Sequence, residues 1–214
     1  IKITYLEQDK PRGLPDAFVI GENFICKENV AMILGDNFFY GQNLSKLLLD
    51  NTKLNKGARV VLHKVLKPEL FGIAKINNQK KITKIKEKPK KFFSDLAITG
   101  LYFFDNKVVN FAKKLKPSKR GEVEIVDLLN FYKSKNQLSA DLIGRGGAWL
   151  DTGSMDDFYK TSSFVSAIEN RQGLKIACLE EIAFNNKWIN KKHIKQSIKF
   201  YGNCDYSKYL TKLL

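Results

Sequence analysis

Two periods of apolar and polar positions run along this chain, and the switches between them mark out its elements. Ile1 to Glu7 alternates residue by residue and predicts an opening strand. A short helix is expected from Pro15 to Phe24, after the Gly13-Leu14 turn. Val30 to Leu34 is a continuous apolar run, the pattern of a buried parallel strand, and it ends in the polar tip Gly35-Asp36-Asn37. Leu44 to Leu54 has helical spacing and Ala58 to Val65 reads as a strand. Gly72 to Ile76 and Ile82 to Glu87 read as two short strands joined by the Asn77-Asn78 turn. After the strongly apolar strand Ile98 to Phe104, helices are expected over Lys107 to Leu115 and Glu122 to Lys135. Strands follow over Leu138 to Ile143 and Ala148 to Leu150. From Ser154 the pattern is helical, first to Asn170 and then near Glu180, Lys191 and Tyr206. Strands alternating with helices predict an α/β fold, a Rossmann-like mixed sheet layered by helices. The division expected is an α/β core over 1–153 and a helical C-terminal part over 154–214.

Composition narrows the classes. With 43% hydrophobic and 12% aromatic residues, the chain has ample material for a packed core, which excludes wholesale disorder. No apolar run reaches the ~18 residues of a membrane-spanning helix, and no secretory leader opens the chain, so no membrane partner is expected. The first residue is Ile1 and not Met, the mark of a fragment or a processed product.

The net charge of +15 invites a nucleic-acid reading. The basic residues are nearly all lysines scattered along the chain, however, and the five arginines are Arg12, Arg59, Arg120, Arg145 and Arg171. Base and phosphate readers favour arginine forks, so no nucleic-acid partner is expected. Anionic small ligands suit this charge better. Cys26, Cys178 and Cys204 form no disulfide framework and no zinc spacing, as befits a reducing cytoplasm. His63 and His193 stand alone, which argues against a histidine-based triad.

Two carboxylates sit at strand ends. Asp36 follows Val30-Ala31-Met32-Ile33-Leu34-Gly35, and Asp151 follows Ala148-Trp149-Leu150. Brought together, they suit Mg²⁺, which takes one or two carboxylates plus substrate phosphates. Taken singly, each reads equally as a turn or helix-cap residue. Lys88, in Glu87-Lys88-Pro89, is pushed toward an extended backbone by the proline and is either aimed at a phosphate or simply solvated among its lysine neighbours. Gln8 with Gly13-Leu14 is either a base-contacting loop or a plain turn. Arg120 lies in Ser118-Lys119-Arg120-Gly121-Glu122, with Ser118 or Gly121 as candidate cap for the helix that follows. It meets an anion there or pairs with Glu122 or Glu124. No Gly-rich phosphate loop occurs, and Gly144-Arg145-Gly146-Gly147 runs into a strand instead of opening a helix.

In their order these segments resemble the glucose-1-phosphate thymidylyltransferase family of nucleotidyltransferases. The resemblance runs through Gly13-Leu14 with Ala17-Phe18, Leu34-Gly35-Asp36-Asn37 with Phe39-Tyr40-Gly41, Phe71-Gly72, and Glu87-Lys88-Pro89. It continues in Thr99-Gly100-Leu101-Tyr102-Phe103, Lys116-Pro117-Ser118 with Arg120-Gly121-Glu122, Gly144-Arg145-Gly146 and Trp149-Leu150-Asp151-Thr152-Gly153. Arg171-Gln172-Gly173-Leu174-Lys175 and Glu180-Glu181-Ile182-Ala183 complete it.

The resemblance implies the nucleotide-diphospho-sugar transferase fold and a transfer from dTTP to glucose 1-phosphate, giving dTDP-glucose and pyrophosphate for dTDP-rhamnose and polysaccharide synthesis. Asp36 and Asp151 are then the Mg²⁺ ligands, and with Lys88 the catalytic set. Gln8, Gly13, Leu14 and Asp36 contact the nucleotide, while Gly72, Glu87, Lys88, Thr99, Tyr102 and Arg120 line the glucose-1-phosphate site. It also implies a cytoplasmic homo-oligomer, a homotetramer in the complete enzyme, with the helical end as subunit interface and regulatory surface.

Three features depart from the family pattern. Its opening Gly-Gly-x-Gly-Thr-Arg loop and the Lys-Pro motif after it are not among these residues, so the chain reads as an incomplete portion, inactive alone. Asp9 stands where Pro is frequent. Asn185 stands where Arg commonly follows Glu-Glu-Ile-Ala-aromatic, which weakens the case for feedback inhibition by dTDP-rhamnose. Two alternatives remain open: a pyrophosphorylase using UTP or another nucleotide, and a non-catalytic nucleotide-sugar binding remnant.

Overall fold

The computed structural model describes residues 2–118 and 120–214. The chain divides into two compact units, one ending at Asp151 and one running from Thr152 to Leu214. In the first unit, six strands among the described residues form one sheet. In chain order they are β1 (Val30–Ile33), β3 (Ala58–Lys64), β4 (Gly72–Ile76), β5 (Ile82–Glu87), β6 (Leu96–Phe104) and β7 (Leu138–Leu142). Across the sheet the order is β5-β4-β6-β3-β7, with β1 also on β6. β3 and β7 are parallel and the other pairs antiparallel, so the sheet is mixed. Two further strands, β2 (Asn37–Tyr40) and β8 (Ala148–Asp151), make a separate antiparallel ribbon.

The centre of the sheet is β6, whose residues Ala97 to Phe104 are all buried. It carries β3 along one edge and β4 then β1 along the other. Its pairing with β3 slips between Val60 and Leu62, which face Tyr102 and Ile98, so Thr99, Gly100 and Leu101 stand opposite the single residue Val61. Such a bulge bends the strand and re-aims its side chains.

Both faces of the sheet are covered. On one, Ile98, Tyr102 and Phe104 pack with Phe18 of α1 (Asp16–Ile20), Ile25 of α2 (Glu22–Ile25), Val108 of α4 (Val108–Ala112) and Leu128 and Tyr132 of α5 (Ile125–Ser134). On the other, Val61, Leu101 and Phe103 meet Leu47 of α3 (Leu44–Thr52), and Ile73 and Ala97 meet Trp149 and Phe39 of the ribbon. The apolar runs read from the sequence thus become a layered α/β sandwich, because a sheet buried on two faces needs continuous hydrophobicity.

The second unit is helical, with α6 (Met155–Gln172), α7 (Leu179–Asn185), α8 (Lys191–Tyr201) and α9 (Asp205–Thr211). Ser154 caps α6 by accepting the Asp157 N–H at 3.1 Å, and Asn190 with His193 forms a capping box on α8. Cys178, Ile194, Tyr209 and Leu210 are its small core. The three cysteines are free thiols.

Four expectations need correction. Residues 2–7 form no strand and are exposed; alternation alone cannot make a strand, and no described strand lies beside them to complete a ladder. Ile1, which opens that run, lies outside the described residues. The helix over Pro15–Phe24 is two short ones broken at Gly21, whose N–H closes α1 on the Ala17 carbonyl at 2.9 Å. The run at Val30 is antiparallel and only half-buried on alternate residues, since β1 lies at the margin of β6. Finally, the polar tip read over Gly35-Asp36-Asn37 stops at Asp36, because Asn37-Phe38-Phe39-Tyr40 is a strand in its own right.

Candidate functional site

The β2–β8 ribbon sets the two strand-end carboxylates beside each other. Asn37 pairs across the ribbon with Asp151, so Asp36, the preceding residue, arrives at the same end. Asp36 is exposed at the turn that leads from β1 into β2, where the Asn37 N–H donates to the Leu34 carbonyl at 3.2 Å. Two oxygen donors of this kind fit Mg²⁺, a hard cation that fills its remaining positions with water and substrate phosphate. Among the described residues no group of three His, Cys, Asp or Glu side chains could enclose a metal. An ion bound at the Asp36–Asp151 pair would take its remaining ligands from water and substrate.

Asn37 organises that end of the ribbon, a role the sequence motif contained but did not disclose. Its Oδ1 accepts the Gly100 N–H at 2.9 Å and the Trp149 indole N–H at 2.6 Å, while its Nδ2 donates to Asp36 Oδ1 at 2.7 Å. A Cβ at Gly100 would stand 2.7 Å from the Asn37 Cγ, so only glycine fits beneath the amide.

Beside the ribbon lies a mixed polar and apolar wall. Gly72 and Glu87 are cross-strand partners on β4 and β5. Glu87 is half-buried, and burial pushes its carboxyl above the usual range; nearby Lys88 opposes the shift, Glu124 adds to it and Arg120 opposes it. Tyr102 is buried, and burial pushes its phenol up, with the charges of Glu87 and Asp36 adding to the effect. Tyr102 therefore lies within electrostatic reach of both Glu87 and Asp36. Gly72 and Glu87 face each other across the β4–β5 pair, with the charges of Lys88 and Arg120 close to Glu87.

Two details differ from expectation. Lys88 is not extended; its φ is +38°, in the left-handed region. Its N–H donates to the Phe71 carbonyl at 3.0 Å, and this contact outweighs the bias that Pro89 imposes. A non-glycine residue held there is strained, a state that clusters at ligand-binding positions. Thr99 is wholly buried and its hydroxyl donates to the Val61 carbonyl at 2.9 Å, so it does not line the wall. The bulge in β6 turns it to pairing with β3.

Arg120 pairs with Glu124 at 3.8 Å but is 59% exposed, and a loose surface pair of that kind leaves the guanidinium available to an anion. The cap of α5 is Glu124, neither Ser118 nor Gly121; Ser118 instead donates its hydroxyl to the Glu124 carboxylate at 2.9 Å. Lys119, in the same motif, lies outside the described residues.

The raised Glu87 carboxyl has a measurable consequence. A carboxyl whose folded-state pKa is raised favours folding when protonated, and that contribution fades as pH rises through the folded value. Glu87→Gln removes the burial penalty of the charged form. The Tm of the variant relative to wild type is therefore expected to increase as pH rises from 4 to 7. A difference that stays constant across that window would count against a desolvated Glu87.

The third group, Gln8, Gly13 and Leu14, forms one loop. The Gln8 amide donates to Asp16 Oδ2 at 2.8 Å and, more weakly, to the Gly13 carbonyl at 3.4 Å. Arg12 joins the same network through Asp16 at 3.0 Å and through Asp9 at 2.9 Å. Gly13 has φ +104°, and a Cβ there would lie 2.1 Å from the Val123 carbonyl oxygen. The Val123 N–H in turn donates to the Arg12 carbonyl at 2.8 Å, which docks the loop just ahead of α5. Leu14 is exposed beside it. Gly147 closes the turn before β8, its N–H donating to the Gly144 carbonyl at 3.1 Å, so the glycine run there serves the ribbon.

Comparison with known proteins gives this geometry a family. Residues 1–167 match the Nucleotidyl transferase family. Over 214 residues the chain is 45% identical to a glucose-1-phosphate thymidylyltransferase of Neisseria meningitidis, covering all of this chain and 74% of that protein. It is 38% identical to the protein of the same name from Mycobacterium tuberculosis, again over 74% of its length. A Bacillus anthracis structure described as a glucose-1-phosphate thymidylyltransferase in complex with sucrose superposes with a TM-score of 0.67 at 38% identity, over 75% of this chain and 64% of that one. A UDP-glucose pyrophosphorylase shares the fold, with a TM-score of 0.66 at 24% identity. The mixed sheet, the family match and these relatives agree: the chain belongs to the nucleotidyl transferase family, in its glucose-1-phosphate thymidylyltransferase branch.

Proposed function

We propose that this chain serves nucleotidyl transfer from dTTP to glucose 1-phosphate, with dTDP-glucose and pyrophosphate as products. The observation that carries the reading is the ribbon register, which sets Asp36 beside Asp151 next to a wall of Gly72, Glu87 and Tyr102. In this reaction a phosphate oxygen of the sugar forms a bond to the α-phosphorus of the nucleotide. The bond from that phosphorus to the bridging oxygen breaks, and pyrophosphate leaves with its electron pair. Such chemistry asks for alignment and charge neutralisation more than for a covalent intermediate.

Lys88 and Arg120 are the cations for the sugar phosphate, and Glu87 accepts hydrogen bonds from the hydroxyls of glucose. The loop of Gln8, Gly13 and Leu14 receives the thymine, with Gln8 exchanging its contact to Asp16 for the base edge. Asp36 and Asp151 hold Mg²⁺, which supplies neutralisation of the phosphate charge when bound. The family reading also implies that residues 154–214 make subunit contacts of a homotetramer and that the product feeds dTDP-rhamnose and polysaccharide synthesis. It implies a cytoplasmic setting as well, and no helix of the described residues is long and apolar enough to cross a membrane.

The test is pyrophosphate release by the protein that carries this chain, with glucose 1-phosphate, Mg²⁺ and either dTTP or UTP. Release that depends on Mg²⁺ and is faster with dTTP is expected. Faster release with UTP would replace the nucleotide in this reading. Binding of dTDP-glucose with no release from any nucleotide would leave a binding module in place of an enzyme.

A further inference from the structure

On the reading just given, Asp36 must face the same small volume as Asp151, although it is an exposed side chain on a turn. We propose that Asn37 is the positioning residue that holds the Asp36 carboxylate in place and anchors it to β6 and β8. The amide is oriented without ambiguity. Its Oδ1 faces two groups that can only donate, the Gly100 N–H at 2.9 Å and the Trp149 indole N–H at 2.6 Å. A flipped amide would set its NH₂ group against both, so Nδ2 points to Asp36 Oδ1 at 2.7 Å. That bond ends on an ionised acceptor and belongs to the stronger class.

The surroundings leave the amide little freedom. Gly100 gives it room that any side chain would fill, and Trp149 is 8% exposed. The indole meets Phe71 edge-on, with ring centroids 5.3 Å apart, and the Phe71 carbonyl accepts the Lys88 N–H at 3.0 Å. A continuous set of contacts thus runs from Asp36 through Asn37, Trp149 and Phe71 to the strained backbone of Lys88. Asn37 touches no reacting atom in this arrangement; it acts through Asp36.

The experiment uses the protein that carries this chain and Mn²⁺ alone as the probe, with free ion counted by its EPR signal. Activity supplies a second readout, the Mg²⁺ concentration for half-activation and the KM for glucose 1-phosphate. Asn37→Ala is expected to weaken Mn²⁺ binding and raise half-activating Mg²⁺ by about tenfold each, the loss of one charge-assisted bond. The KM for glucose 1-phosphate should change far less. Should Asn37→Ala fail to fold, Trp149→Phe decides. It keeps an aromatic ring against Phe71, removes one of the two donors that fix the amide, and should shift Mn²⁺ binding in the same direction by a smaller factor.

A lower Tm with Mn²⁺ binding unchanged in both variants would make Asn37 a mere strand pin and overturn the proposal. Asp36→Asn and Asp151→Asn separate this failure from that of the underlying reading. If they abolish Mn²⁺ binding while the Asn37 and Trp149 variants keep it, only the positioning role falls. If they too leave binding unchanged, the carboxylate pair is not the metal site.

Discussion

Replacing Asp151 by asparagine is expected to lower pyrophosphate release about 10³-fold, the scale on which removal of one preorganised charge-stabilising group acts. The substitution preserves shape and the end of β8, so the ribbon register should persist and the Tm should stay within a few degrees of wild type. What changes is the donor: a neutral amide oxygen replaces the carboxylate proposed to face a divalent cation, a nucleoside triphosphate and a sugar monophosphate. Asp36→Asn should do the same, and the double substitution should cost little more than either alone, because groups that act as one unit are strongly non-additive. Steady-state rates for the three variants make the check. A residual rate within tenfold of wild type for Asp151→Asn would contradict the assignment.

The largest expected effect on stability lies away from this site. Asp105, which follows β6, is 2% exposed. Its Oδ2 accepts the Gly57 N–H at 2.7 Å, and its Oδ1 accepts the Tyr132 hydroxyl at 2.8 Å and the Lys107 N–H at 3.1 Å. Burial and this bond to Asp105 push the Tyr132 phenol well above its usual range, so it stays a donor across the accessible pH range. Asp105→Ala strands three donors at once, and we expect a loss of about 3–4 kcal/mol. Tyr132→Phe removes one partner and leaves two, for a loss of about 1.5 kcal/mol. Urea unfolding followed by Trp149 emission in a Trp188→Phe background reads the first unit, and equal losses for the two variants would refute the hub.

The sequence disclosed most where local pattern and final environment agree. The hairpin of β4 and β5 carried its own turn, and its bounds at Gly72–Ile76 and Ile82–Glu87 match the expected runs. β6 was legible because a strand buried on both faces has no polar alternation to confuse the reading. Where a partner distant in sequence decides, pattern fails. Residues 2–7 alternate as a strand should and have none beside them, whereas Asn37–Tyr40 lacks alternation and becomes a strand by pairing with β8. The candidate site shows the same split. Asp36, Asp151, Glu87 and Lys88 were visible as motif letters. The bulge that turns Thr99 away, the positive φ of Lys88 and the three bonds of Asn37 arise from tertiary pairing that no single segment encodes.

The contact between Gly13 and Val123 bears on how the protein comes to be made. The loop proposed to receive the base is synthesised well before Val123, the residue on which its backbone docks. Closing so long a segment is an entropic cost that must be met before the contact contributes anything. A ribosome therefore releases the loop long before the residue that shapes it, and the proposed nucleotide loop can be completed only after strands β1 to β6 between them have been translated. Ligand binding on a nascent chain would be a late signal of folding, arriving only once Val123 has left the exit tunnel.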